Sequence, residues 1–138
     1  LQQEDSNVTP NRITYLALIN AWIGGAGRPE KAESVLKDIC KNHAVNDAAI
    51  RPDRDLFHKV LAAWSDQKSP RRAESLFLMM VELHERHGYT DLKPTVETYN
   101  RLLNAWAKSM EREAGERADL ILRQMEDFAR AGDKDVCP

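Results

Sequence analysis

The chain has 138 residues, 42% of them hydrophobic, and a formal charge of −2 from 20 basic and 22 acidic side chains. A chain of this length and apolar content can bury roughly two-thirds of its unfolded surface, which excludes general disorder, and the near-balanced charge excludes the broad basic field of a non-specific duplex binder. Cys40 and Cys137 stand far apart with no CxxC, which supports neither a disulfide framework nor a zinc ribbon and makes a reducing compartment the expected setting; no apolar run approaches the ~20 residues of a membrane helix.

The first predicted helix follows Pro10. Asn11 is a good N-cap, because its side-chain oxygen can accept an orphan backbone N–H of the first turn. Tyr15, Leu18, Ile19 and Trp22 then fall at i, i+3, i+4 and i+7, one apolar face of a helix. Gly24-Gly25-Ala26-Gly27 breaks it. A second helix is expected from Pro29, where a first-turn proline loses no hydrogen bond, with its stripe at Ala32, Val35, Leu36 and Ile39. Residues 42–51, with the turn-forming Asn46-Asp47, read as a loop or a frayed helix end.

The same order returns from Pro52. Asp53 is the cap, Phe57, Val60, Leu61 and Trp64 the stripe, and Asp66-Gln67-Lys68-Ser69 the breaker. Pro70, with Ser69 as its cap, opens a helix carrying Ala73, Leu76, Phe77 and Met80, and residues 87–93 read as a loop or a frayed helix end. It returns once more from Pro94, with Thr95 as cap, Tyr99, Leu102, Leu103 and Trp106 as stripe, a breaker over 109–113, and Ala118, Ile121, Leu122 and Met125 in the last helix.

Pro10, Pro52 and Pro94 are spaced 42 residues apart, and all three tryptophans sit at one phase after them. Such self-similarity is the mark of a tandem array. A lone pair of amphipathic helices cannot bury both faces, whereas stacked pairs can. The expected fold is therefore all-α: a right-handed-type α-solenoid of antiparallel helix pairs over 1–138, with units 11–52, 53–94 and 95–138. The first helices are expected to line its concave side. Pro138 matches the opening of a further unit and Leu1 is no initiator, so the chain reads as an excerpt from a longer array in which any targeting segment would lie outside.

Other features read as structure. The repeated Ala32, Ala73 and Ala118 are small where two helices must approach, and a bulky replacement should overpack the pair by ~1–3 kcal/mol. Arg71-Arg72 and the charge-rich 111–116 stretch read as solvated helix ends, and His84 with His87 as a surface pair lacking a third metal ligand. There is no HExxH and no glycine-rich phosphate loop after a strand. No catalytic activity, cofactor, metal or small-molecule substrate is expected.

Three stretches carry a family resemblance: Ile13-Thr14-Tyr15 through Leu18-Ile19-Asn20-Ala21-Trp22, Gly27-Arg28-Pro29-Glu30-Lys31-Ala32-Glu33, and Thr98-Tyr99-Asn100 through Ala105-Trp106-Ala107-Lys108. Their order resembles the pentatricopeptide repeat, a helix-turn-helix unit of organellar RNA-binding proteins. The tetratricopeptide repeat opens its first helix with tryptophan and follows with tyrosine; here tyrosine comes first and tryptophan ends the helix. The units are longer than the family's usual one, with the excess mostly after the second helix and partly in the third unit's turn, where solenoids tolerate insertion.

The resemblance implies single-stranded RNA as partner, read at about one base per unit by two or three side chains. It makes Leu16, His58 and Asn100 the main readers, each just after the aromatic of its first helix. Asp53 and Thr95, after the closing prolines, become their partners, with Asn11 serving a preceding unit. Ile13 takes the place of the aliphatic that sandwiches bases, a place held by Asp55 and Glu97 in the other units, and Lys108 is left to contact a phosphate. It also implies a mitochondrial or chloroplast setting, a role in RNA processing, stability or translation, and contacts with other proteins of an organellar RNA complex. A protein-protein scaffold, such as a structural subunit of an organellar ribosome, is the rival favoured by the carboxylates of Asp55 and Glu97.

Overall fold

The computed structural model describes residues 8–25, 27–46 and 50–132. Leu1, Ala26, Asp47, Cys137 and Pro138, each used in the sequence reading, lie outside the described residues. Six α-helices appear among those described: α1 (Arg12–Gly24), α2 (Pro29–Asn46), α3 (Arg54–Asp66), α4 (Pro70–His87), α5 (Val96–Ser109) and α6 (Ala114–Arg130). α1 packs on α2, α3 on α4 and α5 on α6 as antiparallel pairs, and α5 also packs on both α3 and α4, the consecutive packing of an α-solenoid. The chain divides after Pro52 into two compact units, one holding α1 and α2 and the other α3 to α6.

The first helices begin where the caps require. Asn11 Oδ1 accepts from the Thr14 N–H at 3.1 Å, and the Thr14 hydroxyl oxygen accepts the Asn11 N–H at 3.1 Å, which closes a reciprocal box. Asp53 Oδ1 accepts from Leu56 N–H at 3.0 Å. Thr98 Oγ1 accepts the Thr95 N–H at 3.0 Å, the return half of the same kind of box at α5. Pro29 and Pro70 stand first in α2 and α4 as expected. Ser69 does precede α4, but its hydroxyl turns back to the Gln67 carbonyl at 3.4 Å instead of capping the helix.

The breakers end the first helices by going left-handed. Gly27 (φ 62°), Lys68 (φ 57°) and Met110 (φ 61°) each take that conformation. The reversal lets the Ser69 N–H donate to the Trp64 carbonyl at 3.0 Å and the Arg28 N–H to that of Trp22 at 2.8 Å, which covers carbonyls the helix leaves open. Only Gly27 adopts the conformation without steric strain. Met110 is held by Ser109, whose hydroxyl donates to the Trp106 carbonyl at 2.6 Å and accepts the Glu111 N–H at 3.2 Å.

Two connections carry more structure than a loop or frayed end requires. The 42–51 stretch is helical as far as Asn46, so α2 runs 18 residues. The 87–93 stretch opens on left-handed Gly88 (φ 70°) and holds a 3₁₀ turn, Thr90–Leu92, whose Leu92 is fully buried. One apolar residue with a turn-former beside it is too short a signal for periodicity, yet it pins the connection against α4.

Within the α3–α6 unit the core lies between the pairs. Phe57, Leu61, Leu76, Met80, Tyr99 and Trp106 are all at most 3% exposed. Phe77 meets Tyr99 edge-on at 5.2 Å, and Phe128 lies tilted to the Tyr99 ring at 6.1 Å. In the small-residue column Ala73 is 1% exposed, while Ala118 is only half-buried. In the first unit Ala32 and Leu36 are fully buried and Cys40 nearly so, and burial pushes the Cys40 thiol up to about 12, well away from reactivity.

Candidate nucleic-acid interface

Aligning the units by their prolines shows which columns of the first helices face outward. The third column, Ile13, Asp55 and Glu97, is exposed in all three, as is the fourteenth, Gly24, Asp66 and Lys108. Asn20 and Asn104 are exposed in the tenth column, with Ala62 half-buried between them in sequence. These columns fall at i, i+7 and i+11, one ridge of each helix. α3 and α5 thus each offer a mostly polar ridge, whereas α1 offers Ile13, Asn20 and Gly24 there.

The residues singled out as readers do not share one fate. Asn100 is exposed on α5 and Leu16 is half-buried on α1. His58 is only 4% exposed, because α5 packs over that side of α3. Its Nε2 lies 2.7 Å from Thr98 Oγ1 and its Nδ1 3.7 Å from Glu97 Oε2. A neutral ring protonated on Nδ1 satisfies both neighbours: Nε2 accepts from the Thr98 hydroxyl, whose oxygen accepts the Thr95 N–H. Burial drives the His58 pKa down to about 4; Glu97 pulls upward, while Arg101 and Arg54 add to the depression. His58 therefore acts from within the wall, as an interhelical link to the buried Thr98, and lies beside the open ridge at Glu97.

The partner positions are the helix caps already described. Thr95 is joined to His58 through Thr98, so the second unit's two expected readers meet in one hydrogen-bonded cluster. Asp53 is turned onto Leu56 N–H and half-buried. Ile13 is 71% exposed, an open apolar contact on α1.

The ridge of α3 and α5 is largely self-neutralised. Lys108 Nζ lies 3.1 Å from Asp66 Oδ1, a bridge from the third repeat to the second. Arg101 holds Glu97 at 2.5 Å, and that hydrogen bond keeps the Glu97 carboxyl below its usual range. Arg54 Nε donates to the Lys93 carbonyl at 2.8 Å. Lys59 is exposed nearby.

One recurring arrangement was not anticipated. The residue before each small alanine is a cation resting on the tryptophan of its own repeat: Lys31 on Trp22 at 5.8 Å, Arg72 on Trp64 at 4.8 Å, and Arg117 on Trp106 at 5.5 Å. Arg71 covers Trp106 as well, at 5.2 Å, and bonds Glu111 at 2.9 Å and Glu113. Glu74 completes the latch by accepting from Trp106 Nε1 at 3.1 Å and from Arg117. Of the charges expected at solvated helix ends, Arg71, Glu111 and Glu113 thus link the second repeat to the third while Arg71 stays 61% exposed, and Arg72 lies on the tryptophan of its own repeat. The signal was in the sequence as a cation in phase with the tryptophan, but only packing gives it a partner.

His84 Nδ1 lies 3.3 Å from the Tyr89 carbonyl and His87 stacks on Tyr89, so the histidine pair organises the 88–93 connection. No group of three or more His, Cys, Asp or Glu suited to a metal is present among the described residues. Nor is any described helix long and apolar enough to cross a membrane.

Helix pairs in tandem define a helical-repeat protein, and an aromatic in the first turn of each first helix with a tryptophan toward its end fits a pentatricopeptide-like one. The chain is 26% identical, over 124 residues and 90% of its length, to a pentatricopeptide repeat-containing protein of Arabidopsis thaliana. It spans 19% of that relative. No family model matches the chain, and no solved structure matches it.

Proposed function

We propose that this chain is a single-stranded RNA-binding segment of an organellar pentatricopeptide-type protein that acts in RNA processing, stability or translation. The first-helix ridges are its contact surface. The observation that carries the reading is Asn100: it stands just after the aromatic of α5, at the position the resemblance makes the reader, and its amide is exposed to solvent. An amide can donate to and accept from a base edge at once. Leu16 and Ile13 supply apolar contact in the first repeat, and Lys108 supplies a cation once a phosphate competes with Asp66 for it.

Thr95 and Asp53 contribute through the helix starts they cap. His58 supports the ridge from behind by fixing Thr98 and Glu97. Mitochondrion or chloroplast is the expected setting, and a non-enzymatic role the expected one.

Binding of the chain to a panel of short single-stranded RNAs at two salt concentrations tests the reading. Sequence-selective binding that weakens modestly with salt is expected, since few cations are free to displace counterions. Asn100→Ala should weaken the preferred RNA by roughly 1 kcal/mol and flatten the preference. The neutralised pairs Lys108–Asp66 and Arg101–Glu97 favour the scaffold reading instead, and RNA binding that is absent or indifferent to sequence would put it first.

A further inference from the structure

On the ridge of α5, Glu97, Arg101, Asn104 and Lys108 follow one another at helical spacing. At the same places of its repeat α3 carries Asp55, Lys59, Ala62 and Asp66. The two helices pack on each other within one compact unit, so each of these residues has a counterpart across the seam. Lys108 and Asp66 show that side chains of one such column can meet there, at 3.1 Å. In another column the counterparts are Lys59 and Arg101, two cations abreast, where α1 has Ala17.

Axes of helices in contact lie about 8–10 Å apart, a gap that a lysine and an arginine can both reach into. Their like charge forbids a bridge between them. Lys59 is exposed and joins no ion pair among the described residues. Arg101, with its side chain one-third exposed, is held at 2.5 Å by Glu97, which is itself 60% exposed. An exposed pair on one helix adds little net free energy, so a second anion can take the place of the carboxylate. Glu97 then still has the His58 ring beside it, with Nδ1 3.7 Å from its Oε2.

We propose that Lys59 and Arg101 clasp one backbone phosphate of a bound single strand, and that Glu97 occupies Arg101 until that phosphate displaces it. The inference rests on the RNA-binding reading. Arg101 offers the phosphate a planar pair of N–H donors and Lys59 a mobile point charge. Asn100, next to Arg101 on the helix, stays available for a base edge. The clasp fixes where the strand crosses the α3–α5 seam, and Glu97 keeps the site neutral toward weaker anions.

Titrating the parent chain and three variants with the panel of short RNAs, at several salt concentrations, tests this. Lys59→Gln should weaken every RNA about fivefold at 0.1 M salt and lower the salt slope by about 0.7, the share of one phosphate on a single strand. The order of preference among the RNAs should stay unchanged, because a phosphate contact carries no sequence information. Glu97→Gln should tighten every RNA severalfold by removing the competitor for Arg101. Glu82→Gln, the same change in an exposed Glu–Arg pair of α4 at 3.7 Å, should bind as the parent does. Circular dichroism checks that each variant keeps its helices. If Lys59→Gln keeps the parent's affinity and salt slope, or Glu97→Gln binds no tighter than Glu82→Gln, the proposal is overturned and the RNA-binding reading stands. A parent chain that binds none of the RNAs overturns both.

Discussion

The α1–α2 pair and the α3–α6 unit are built from one repeat, yet their first helices are buried very differently. Ile19 is the buried residue of α1, whereas α3 buries eight and α5 five. α1 is apolar nearly all round, with Ile13, Leu16, Leu18, Ile19 and Ile23 and no charge after Arg12. α3 and α5 separate an apolar face from Asp55, Lys59, Asp66, Glu97, Arg101 and Lys108. A helix that is hydrophobic on every side is built to be covered on more than one. A repeat motif thus specifies a surface, and the neighbour decides whether that surface is core.

Tryptophan truncation probes that contrast most directly. Trp106→Ala should cost about 3–5 kcal/mol, since it empties a fully buried site and strands Glu74 and two arginines. Trp22→Ala, at a half-buried site in the same phase, should cost roughly 1–2 kcal/mol less, as read by urea unfolding of each variant. Equal losses would mean that the α1 face is as well covered in solution as that of α5.

A smaller effect concerns acid. The His58 pKa is about 4 when folded, against an ordinary value of 6.5, so the unfolded chain binds the proton more readily. Stability from this group is complete above pH 6.5 and is lost as the pH falls toward 4. α1 has no such group, since Leu16 holds the matching place. His58→Gln should flatten the dependence between pH 7 and 5 by on the order of 2 kcal/mol, measured as unfolding free energy against pH. A variant as acid-sensitive as the parent would remove His58 from the account.

The smallest change is expected on the open ridge. Lys108→Ala breaks an exposed bridge to Asp66 and should alter stability by less than ~0.5 kcal/mol in denaturant unfolding. A larger loss would mean that the ridge is structural and not a contact surface.

Helix registers were legible because they depend on neighbours along the chain. Asn11 and Asp53 cap where their side chains can reach a first-turn N–H, and Pro29 and Pro70 start helices because their own N–H is not missed there. The extent of α2 and the buried Leu92 were not legible, since a frayed end and a docked one read alike until something packs on them. In the candidate interface, Asn100 and His58 occupy the same place in the repeat. Their different exposure follows from α5, which lies over His58, while no described helix covers Asn100.

Period, helix pairing and the Asn11 and Asp53 caps follow from spacing and local hydrogen bonding, so the order of residues was enough to set them; Ser69 does not cap α4, and of the expected apolar stripes Leu18 is 42% and Leu122 40% exposed. It took the packed chain to make His58 a neutral link within a wall, to lay Arg71, Arg72 and Arg117 on indole rings, and to join two repeats through Glu74. Arg72 and Arg117 reach the tryptophan of their own repeat, but the His58 and Glu74 bonds depend on burial and on partners 32 to 43 residues away, and desolvation by a distant neighbour leaves no mark on the local pattern.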